Sequence, residues 1–221
     1  MKDKESELNS ELINLNDTSQ VLYQMGKPML ETNGLFLFDL YCSGILNRTL
    51  NLTKGFIDQI QSQNFLSAAP LVRLNLDTLL RLYGAFRFEP NIDLFAKQVM
   101  EGKAINKIKD RTGNLMKDTY LVGLLTKENG FNWVEKIYNT GNQYVHLTHQ
   151  HIFATIKLEE LKERKIEGLI AWGDSFIPEF EKIWATRAMI QINLGIQKQL
   201  QKWIDHKQSL VDIDLQLGSM Q

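Results

Sequence analysis

Cysteine and net charge are both scarce in this chain of 221 residues. Its single cysteine, Cys42, cannot form an internal disulfide, which fits a reducing compartment. Lysine and arginine (25) nearly balance aspartate and glutamate (26), so the formal net charge is -1 and general DNA binding is disfavoured. No stretch of about 18 uninterrupted apolar residues occurs, so we expect no membrane span. The polar first residues lack the apolar segment of a secretory signal, and we therefore expect a cytoplasmic protein.

Several well-known catalytic motifs are also missing from the sequence. It has no glycine-rich phosphate loop, no dinucleotide-binding glycine fingerprint, no histidine pair typical of zinc proteases, no paired cysteines and no nucleophile elbow. A nucleotide-binding α/β enzyme, a zinc protease and an α/β-hydrolase are therefore poor fits. We expect no cofactor.

The pattern that is present is helical. Apolar residues recur with a period of about 3.6 residues, which predicts long helices over 34–62, 68–88, 114–127, 131–146 and 178–207, with shorter ones over 5–15 and 92–102. The prediction is an all-α helical bundle forming a single domain over 1–221. Residues 1–30 are expected to be an N-terminal arm broken near 25–28, and 208–221 a weakly ordered tail. A shorter period after residue 150 favours a small β-hairpin within 151–172.

One charged constellation lies on the most apolar predicted helix. Arg73, Asp77 and Arg81 are spaced four residues apart, so they share one face. Charges on a mostly buried helix should either pair with each other or face a cavity. The spacing leaves both a binding site and a purely structural ion-pair ladder open.

A second constellation lies on the helix predicted over 131–146. Glu135, Asn139, Asn142 and His146 fall on one face, and an imidazole that titrates near neutral pH can act as a general acid or base. The alternative is a solvent-facing polar stripe, because surface helices are polar on one side by default.

Three histidines near residue 150 raise the question of a metal. His146, His149 and His151 lie within six residues, but one helix or one strand cannot direct all three to a single point, and no cysteine is near. We therefore predict no metal site. A metal site formed by these three histidines is the alternative.

Two segments resemble a known group of proteins. Residues 69–81 (APLVRLNLDTLLR) and 138–148 (YNTGNQYVHLT) resemble uncharacterised bacterial helical proteins that carry an Arg-x3-acid helix followed by a Tyr…Tyr-x-His helix. The layout is more distantly similar to the HEPN superfamily over about residues 32–150 and the closing helix. That resemblance implies a bundle of up-and-down helices, often dimeric, in a group that includes many toxin and antiviral ribonucleases.

The sequence departs from the HEPN pattern at one position that matters. Active HEPN ribonucleases carry an arginine five to seven residues before the histidine, whereas the positions before His146 hold Asn139, Thr140 and Gly141. Nuclease activity is therefore doubtful, and the sequence does not decide whether the chain is an enzyme. His146 matches the family histidine by position, and we expect a polar groove that binds a nucleotide or RNA phosphate. Its catalytic centre would be His146 and Arg73, because their two helices carry the clearest polar stripes on an apolar background. Asp77, Asn142, Tyr144 and Arg81 are the expected binding residues.

The alternative function is a non-catalytic homodimeric interaction module. Long apolar stripes in a chain with almost no net charge leave little repulsion to oppose self-association. The closing helix is the expected contact face, since it carries Trp184, Ile192, Ile196 and Trp203.

Overall fold

The chain folds as an all-α bundle, which confirms the predicted fold class. A computed structural model describes residues 6–32, 34–88, 91–155, 170, 172–174 and 176–218. Within these residues there are eight α-helices and one short 3₁₀ helix, and no strand. The elements are α1 (Glu7–Glu31), α2 (Leu37–Gln61), α3 (Phe65–Ala85), α4 (Ile92–Met100), the 3₁₀ helix (Ile105–Lys107), α5 (Asp118–Leu125), α6 (Val134–Val145), α7 (His149–Phe153) and α8 (Glu179–Gly218).

Helix α3 lies at the centre of the bundle, as its nearly all-apolar sequence predicts. It packs against α2, α5, α6 and α8, while α1 closes the bundle by packing along α8 and α2. Leu76, Leu79, Leu80 and Leu82 of α3 are fully buried. Any charged side chain on this helix is therefore close to the core, so Arg73, Asp77 and Arg81 have limited solvent exposure.

Helix α1 runs unbroken through the segment where the sequence predicted a break. It extends from Glu7 to Glu31, so the expected break at 25–28 is wrong. Pro28, in the last turn, lacks the N–H that would donate to the carbonyl four residues earlier, so the helix loses one hydrogen bond there. Leu15, Leu22 and Met29 are buried along the same stripe, so their packing outweighs that cost. Residues 7–31 are therefore a packed helix of the bundle.

Helix α3 begins three residues earlier than predicted. The sequence placed its start at residue 68, with Pro70 in the first turn, whereas α3 begins at Phe65. The backbone N–H of Phe65 donates to Asp174 Oδ1 at 2.7 Å, and Lys182 of α8 lies 3.0 Å from the same carboxylate. A capping partner this distant in sequence cannot be found from local signals.

The predicted hairpin near 151–172 is wrong at its first residues. His151 to Phe153 are the last three residues of α7. Thr148 caps this helix by accepting from the N–H of Gln150, and its own hydroxyl donates to the carbonyl of Gln143 at 2.8 Å. This local cap overrides the alternating pattern. The rest of the predicted hairpin, 156–169 and 171, lies outside the described residues.

The closing helix is longer and more deeply packed than predicted. Helix α8 extends to Gly218, so the backbone is helical well beyond the predicted end at residue 207 and into the expected tail. Ile192 and Ile196 are fully buried and Trp203 is 2% exposed. Most of the apolar surface expected to drive self-association is thus used inside the chain, where α1, α2 and α3 cover it, and Trp184 is partly buried.

A buried ion pair fastens α8 to the start of α2. Lys207 Nζ lies 2.8 Å from Asp39 Oδ2 and also donates to the carbonyls of Met29 and Gly34. Trp203 Nε1 donates to the other oxygen of Asp39 at 2.7 Å. Because every strong donor and acceptor of the pair has a partner, its burial is tolerated. None of the described helices is both long enough and apolar enough to cross a membrane.

Candidate functional site

Two arginines of α3 share one carboxylate from α5. Arg73 Nη2 donates to Asp118 Oδ2 at 2.8 Å, and Arg81 Nη2 donates to Asp118 Oδ1. Arg81 also pairs with Asp77 at 3.0 Å, one turn earlier on α3. Two guanidinium groups and two carboxylates thus pair with one another. We call Arg73, Asp77, Arg81 and Asp118 the arginine–aspartate network.

Helix α6 covers the remaining sides of Arg73. The Nε of Arg73 donates to Asn142 Oδ1 at 2.9 Å, and its guanidinium lies 4.4 Å from the centre of the Tyr138 ring. Gly141 lets the two helices approach closely, since a Cβ at that position would lie 3.0 Å from Arg73 Cβ. With its side chain only 10% exposed, Arg73 is enclosed by partners and is not presented to an open groove.

Asp118 remains ionised in this setting. Burial alone would raise its pKa, but the charges and hydrogen bonds of Arg81 and Arg73 outweigh that effect and hold the pKa below its usual value. Asp118 is also the first residue of α5, where the helix dipole favours a negative charge. The network is therefore electrically balanced at neutral pH.

Asp118 is the functional side chain that sequence reasoning missed. An acidic residue at a helix start is common, so its only sequence signal is weak. Asp118 is important in this site because of the tertiary structure: α5 places it opposite two arginines that lie on a different helix. Arg81 is fixed further by donating to the backbone carbonyl of Met116 at 3.1 Å.

His146 does not join Arg73 in the structure. It is the C-terminal cap of α6 and is exposed, and within the described residues no hydrogen bond, ion pair or ring contact of its side chain connects it to Arg73. Of the predicted site residues, Arg73 is brought together with Asn142 directly and with Arg81 through the shared Asp118, and Asp77 joins them through its ion pair with Arg81. The catalytic pairing of His146 with Arg73 therefore lacks a contact to support it.

Tyr144, expected as a binding residue of the groove, contacts α8 and not the arginine–aspartate network. Its hydroxyl donates to Glu181 Oε2 of α8 at 2.8 Å, and its ring packs edge-on against Phe65. Burial and the Glu181 carboxylate raise the pKa of this hydroxyl above its usual value, so it stays protonated. Tyr144 thus connects α6 to the first turn of α8.

The three histidines near residue 150 are dispersed. His149 packs its ring against Phe153, while His151 Nδ1 accepts from the backbone N–H of Thr148 at 3.4 Å. Among the described residues, no group of three or more histidine, cysteine, aspartate or glutamate side chains is arranged to hold a metal ion.

Two of the predicted binding residues also border a cleft on the other side of α3. Asp77 and Arg81 line it together with residues of α2 and the 3₁₀ helix. Arg73, Asn142 and His146 are not part of its wall.

Comparison with known proteins identifies no relative. No family model, no curated protein and no solved structure matches this chain.

Proposed function

We propose that the chain is a non-catalytic helical interaction module of the cytoplasm that acts as a homodimer. The observation that carries this proposal is the closure of the arginine–aspartate network. Arg73 and Arg81 donate to Asp118 and to neighbouring neutral acceptors, so their charge holds α3, α5 and α6 together. Ion-pair networks that fasten helices commonly use charge in this way.

A nucleotide or RNA phosphate is the less favoured ligand. To bind Arg73 and Arg81, a phosphate would have to displace Asp118 from both guanidinium groups and leave that carboxylate without its partners. Leaving a partly buried charge unpaired costs several kcal/mol. The contacts of Arg73 are with Asn142 and Asp118 and not with His146, so no contact supports a shared catalytic role for Arg73 and His146.

The surface that we assign to self-association is the apolar end patch. Its residues belong to the segment from the end of α6 through α7 and to the start of α8, and the Tyr144–Glu181 hydrogen bond connects α6 to α8 beside them. The exposed fraction is 86% for Leu147 and 68% for Phe180. The patch consists of Val145, Leu147, Ile152, Phe153 and Phe180.

A second copy of this chain fits the apolar end patch. A two-fold dimer pairs one patch with itself, so a single apolar surface is enough. The formal net charge of -1 gives the two copies almost no mutual repulsion.

Size-exclusion chromatography with light scattering tests this proposal. We expect wild type to elute at micromolar concentration with twice the 25.6 kDa mass of one chain. The double variant Leu147→Asp/Phe180→Glu should elute as a monomer. The matched control Tyr23→Glu/Leu35→Asp replaces two apolar residues that are 70% and 67% exposed elsewhere, and it should remain a dimer.

Two results would contradict the proposal. A wild type that stays at 25.6 kDa over the whole concentration range refutes self-association. Binding of a single-stranded RNA oligonucleotide that Arg73→Gln abolishes, without a loss of thermal stability, would favour the nucleotide or RNA function instead.

A further inference from the structure

The arginine–aspartate network does not account for a cleft that lies between α2 and α3. Its volume is about 270 Å³, close to the lower limit for small-molecule pockets. Its apolar side is formed by Leu40, Ile45, Ile105 and the ring of Tyr41, and Arg48, Asp77, Thr78 and Arg81 complete the wall. An apolar recess of this size fits the body of a small organic molecule.

Gly44 lies in the wall of this cleft. It lies within α2, where glycine is less favourable than alanine by about 0.5–1 kcal/mol, so its presence calls for a reason. Close packing is not the reason, because a Cβ added to Gly44 would meet no atom within 4 Å. By contrast, a Cβ on Gly84 of α3 would meet Leu121 at 3.3 Å. Since Gly44 forms part of the cleft wall, its missing side chain leaves space for a ligand.

Arg48 supplies an available positive charge at the cleft. Its Nε donates to Thr78 Oγ1 at 3.0 Å, which fixes the plane of the guanidinium. The two terminal nitrogens hold no hydrogen bond or ion pair within the described part of the chain. The other arginine in the wall, Arg81, is occupied by Asp77 and Asp118. A fixed guanidinium with two open donors is suited to bidentate binding of a carboxylate.

Tyr41 adds an unused polar group next to these residues. Its hydroxyl is buried and has no hydrogen-bond partner in the described structure. Burial raises its pKa far above the usual range, so the group stays a neutral donor. Native proteins rarely leave a buried hydroxyl unpartnered, since the cost is about 1–3 kcal/mol.

We propose that this cleft binds a small apolar monocarboxylate. Its carboxylate contacts the terminal nitrogens of Arg48, and its apolar body lies against Leu40, Ile45 and Ile105. One unpaired guanidinium in the wall matches one negative charge, and the apolar lining disfavours a larger polar anion.

The ligand class is tested by titrating the full chain with benzoate, benzamide and inorganic phosphate. Binding is measured from the changes in amide chemical shifts. For a ligand as small as benzoate we expect a dissociation constant on the order of 1 mM. Benzamide keeps the apolar ring without the charge, and phosphate keeps charge without the ring. Both should bind at least about 10-fold more weakly, which corresponds to about 1.4 kcal/mol.

Paired variants test the place of binding. Gly44→Leu fills the cleft and should abolish benzoate binding while thermal stability is kept or increased. Gly123→Leu is the matched control, because Gly123 of α5 is also helical, exposed and free of atoms within 4 Å of an added Cβ. Arg48→Gln should weaken benzoate binding at least about 10-fold, whereas Lys54→Gln, an exposed residue of the same helix, should not.

The possible outcomes separate clearly. Loss of binding in Gly44→Leu and Arg48→Gln, with both controls retained, supports the site. Absence of benzoate binding to wild type at about 10 mM refutes it. Equal binding by wild type and Gly44→Leu refutes the location, and equal binding of benzoate and benzamide refutes the carboxylate contact.

Discussion

At the scale of single residues, Asp118 has the largest effect on the candidate site. One carboxylate holds Arg73 at 2.8 Å and Arg81 through its other oxygen, and its side chain is 29% exposed. Removing its charge leaves two partly buried guanidinium groups without their main partner. Such a loss costs about 3–5 kcal/mol in a fully buried pair and less where solvent reaches the group.

We expect Asp118→Asn to lower the free energy of unfolding by about 2 kcal/mol at neutral pH, measured by urea denaturation. Asp58→Asn is the control, because Asp58 pairs with Lys54 on the surface, where both side chains are more than half exposed. That substitution should change stability by about 0.5 kcal/mol or less. Equal effects of the two substitutions would show that Asp118 carries no special role.

The pH dependence of the Asp118→Asn effect has a definite sign. The guanidinium groups of Arg81 and Arg73 hold the pKa of Asp118 in the folded chain below its ordinary value, despite the opposing effect of burial. Its stabilisation is therefore fully present above the unfolded pKa and is lost as pH falls through the folded pKa. The stability difference between wild type and Asp118→Asn should shrink as pH is lowered from about 7 to about 3. A difference that stays constant over this range would contradict an ionised Asp118.

The sequence predicted part of this site because the signal was local. Four-residue spacing places Arg73, Asp77 and Arg81 on one face, and the apolar background of that helix implies paired charges. The pairing partner could not be predicted, because Asp118 reaches the arginines through the tertiary position of α5. His146 shares a helical face with Asn142, but it lies at the exposed end of α6.

At the scale of helices, the α3–α6 contact depends on Gly141. A Cβ at this position would lie 3.0 Å from Arg73 Cβ and 3.5 Å from Arg73 Cα. Arg73 cannot move aside easily, because Asp118, Asn142 and Tyr138 hold it from three directions.

Gly141→Ala should therefore destabilise the chain by about 1 kcal/mol, since overpacking outweighs the gain in helix propensity. Gly123→Ala, where an added Cβ meets no atom within 4 Å, should stabilise it by about 0.5–1 kcal/mol. Thermal unfolding of both variants gives the comparison. If both variants changed the stability in the same direction, α6 would have to be able to move away from Arg73.

Helices with a long apolar period were the easiest to predict, and their ends the hardest. The sequence located α2, α3, α6 and α8 because each repeats buried positions over several turns. It failed where a distant group decided the outcome. Asp174 caps α3 at an earlier residue than local signals indicate. The burial of Leu15, Leu22 and Met29 keeps α1 helical through Pro28.

At the scale of the whole molecule, two polar clusters fasten different parts of the bundle. The arginine–aspartate network joins α3, α5 and α6, while the Asp39–Lys207 pair joins the α1–α2 connection to α8. The all-α class followed from periodicity, but the exposed surface did not. Burial of Ile192 and Ile196 depends on how α1 and α3 pack against α8, which periodicity alone does not determine.

A double-mutant cycle between Arg73 and Asp118 tests the central claim most directly. Free energies of unfolding are measured in urea for wild type, Arg73→Met, Asp118→Asn and the double variant. If the network fastens α3 to α5, the two residues should show a coupling energy of about 1–3 kcal/mol, and the double variant should be less destabilised than the sum of the single variants. A coupling energy below about 0.5 kcal/mol would contradict the account, because it would mean that Arg73 and Asp118 stabilise the fold independently.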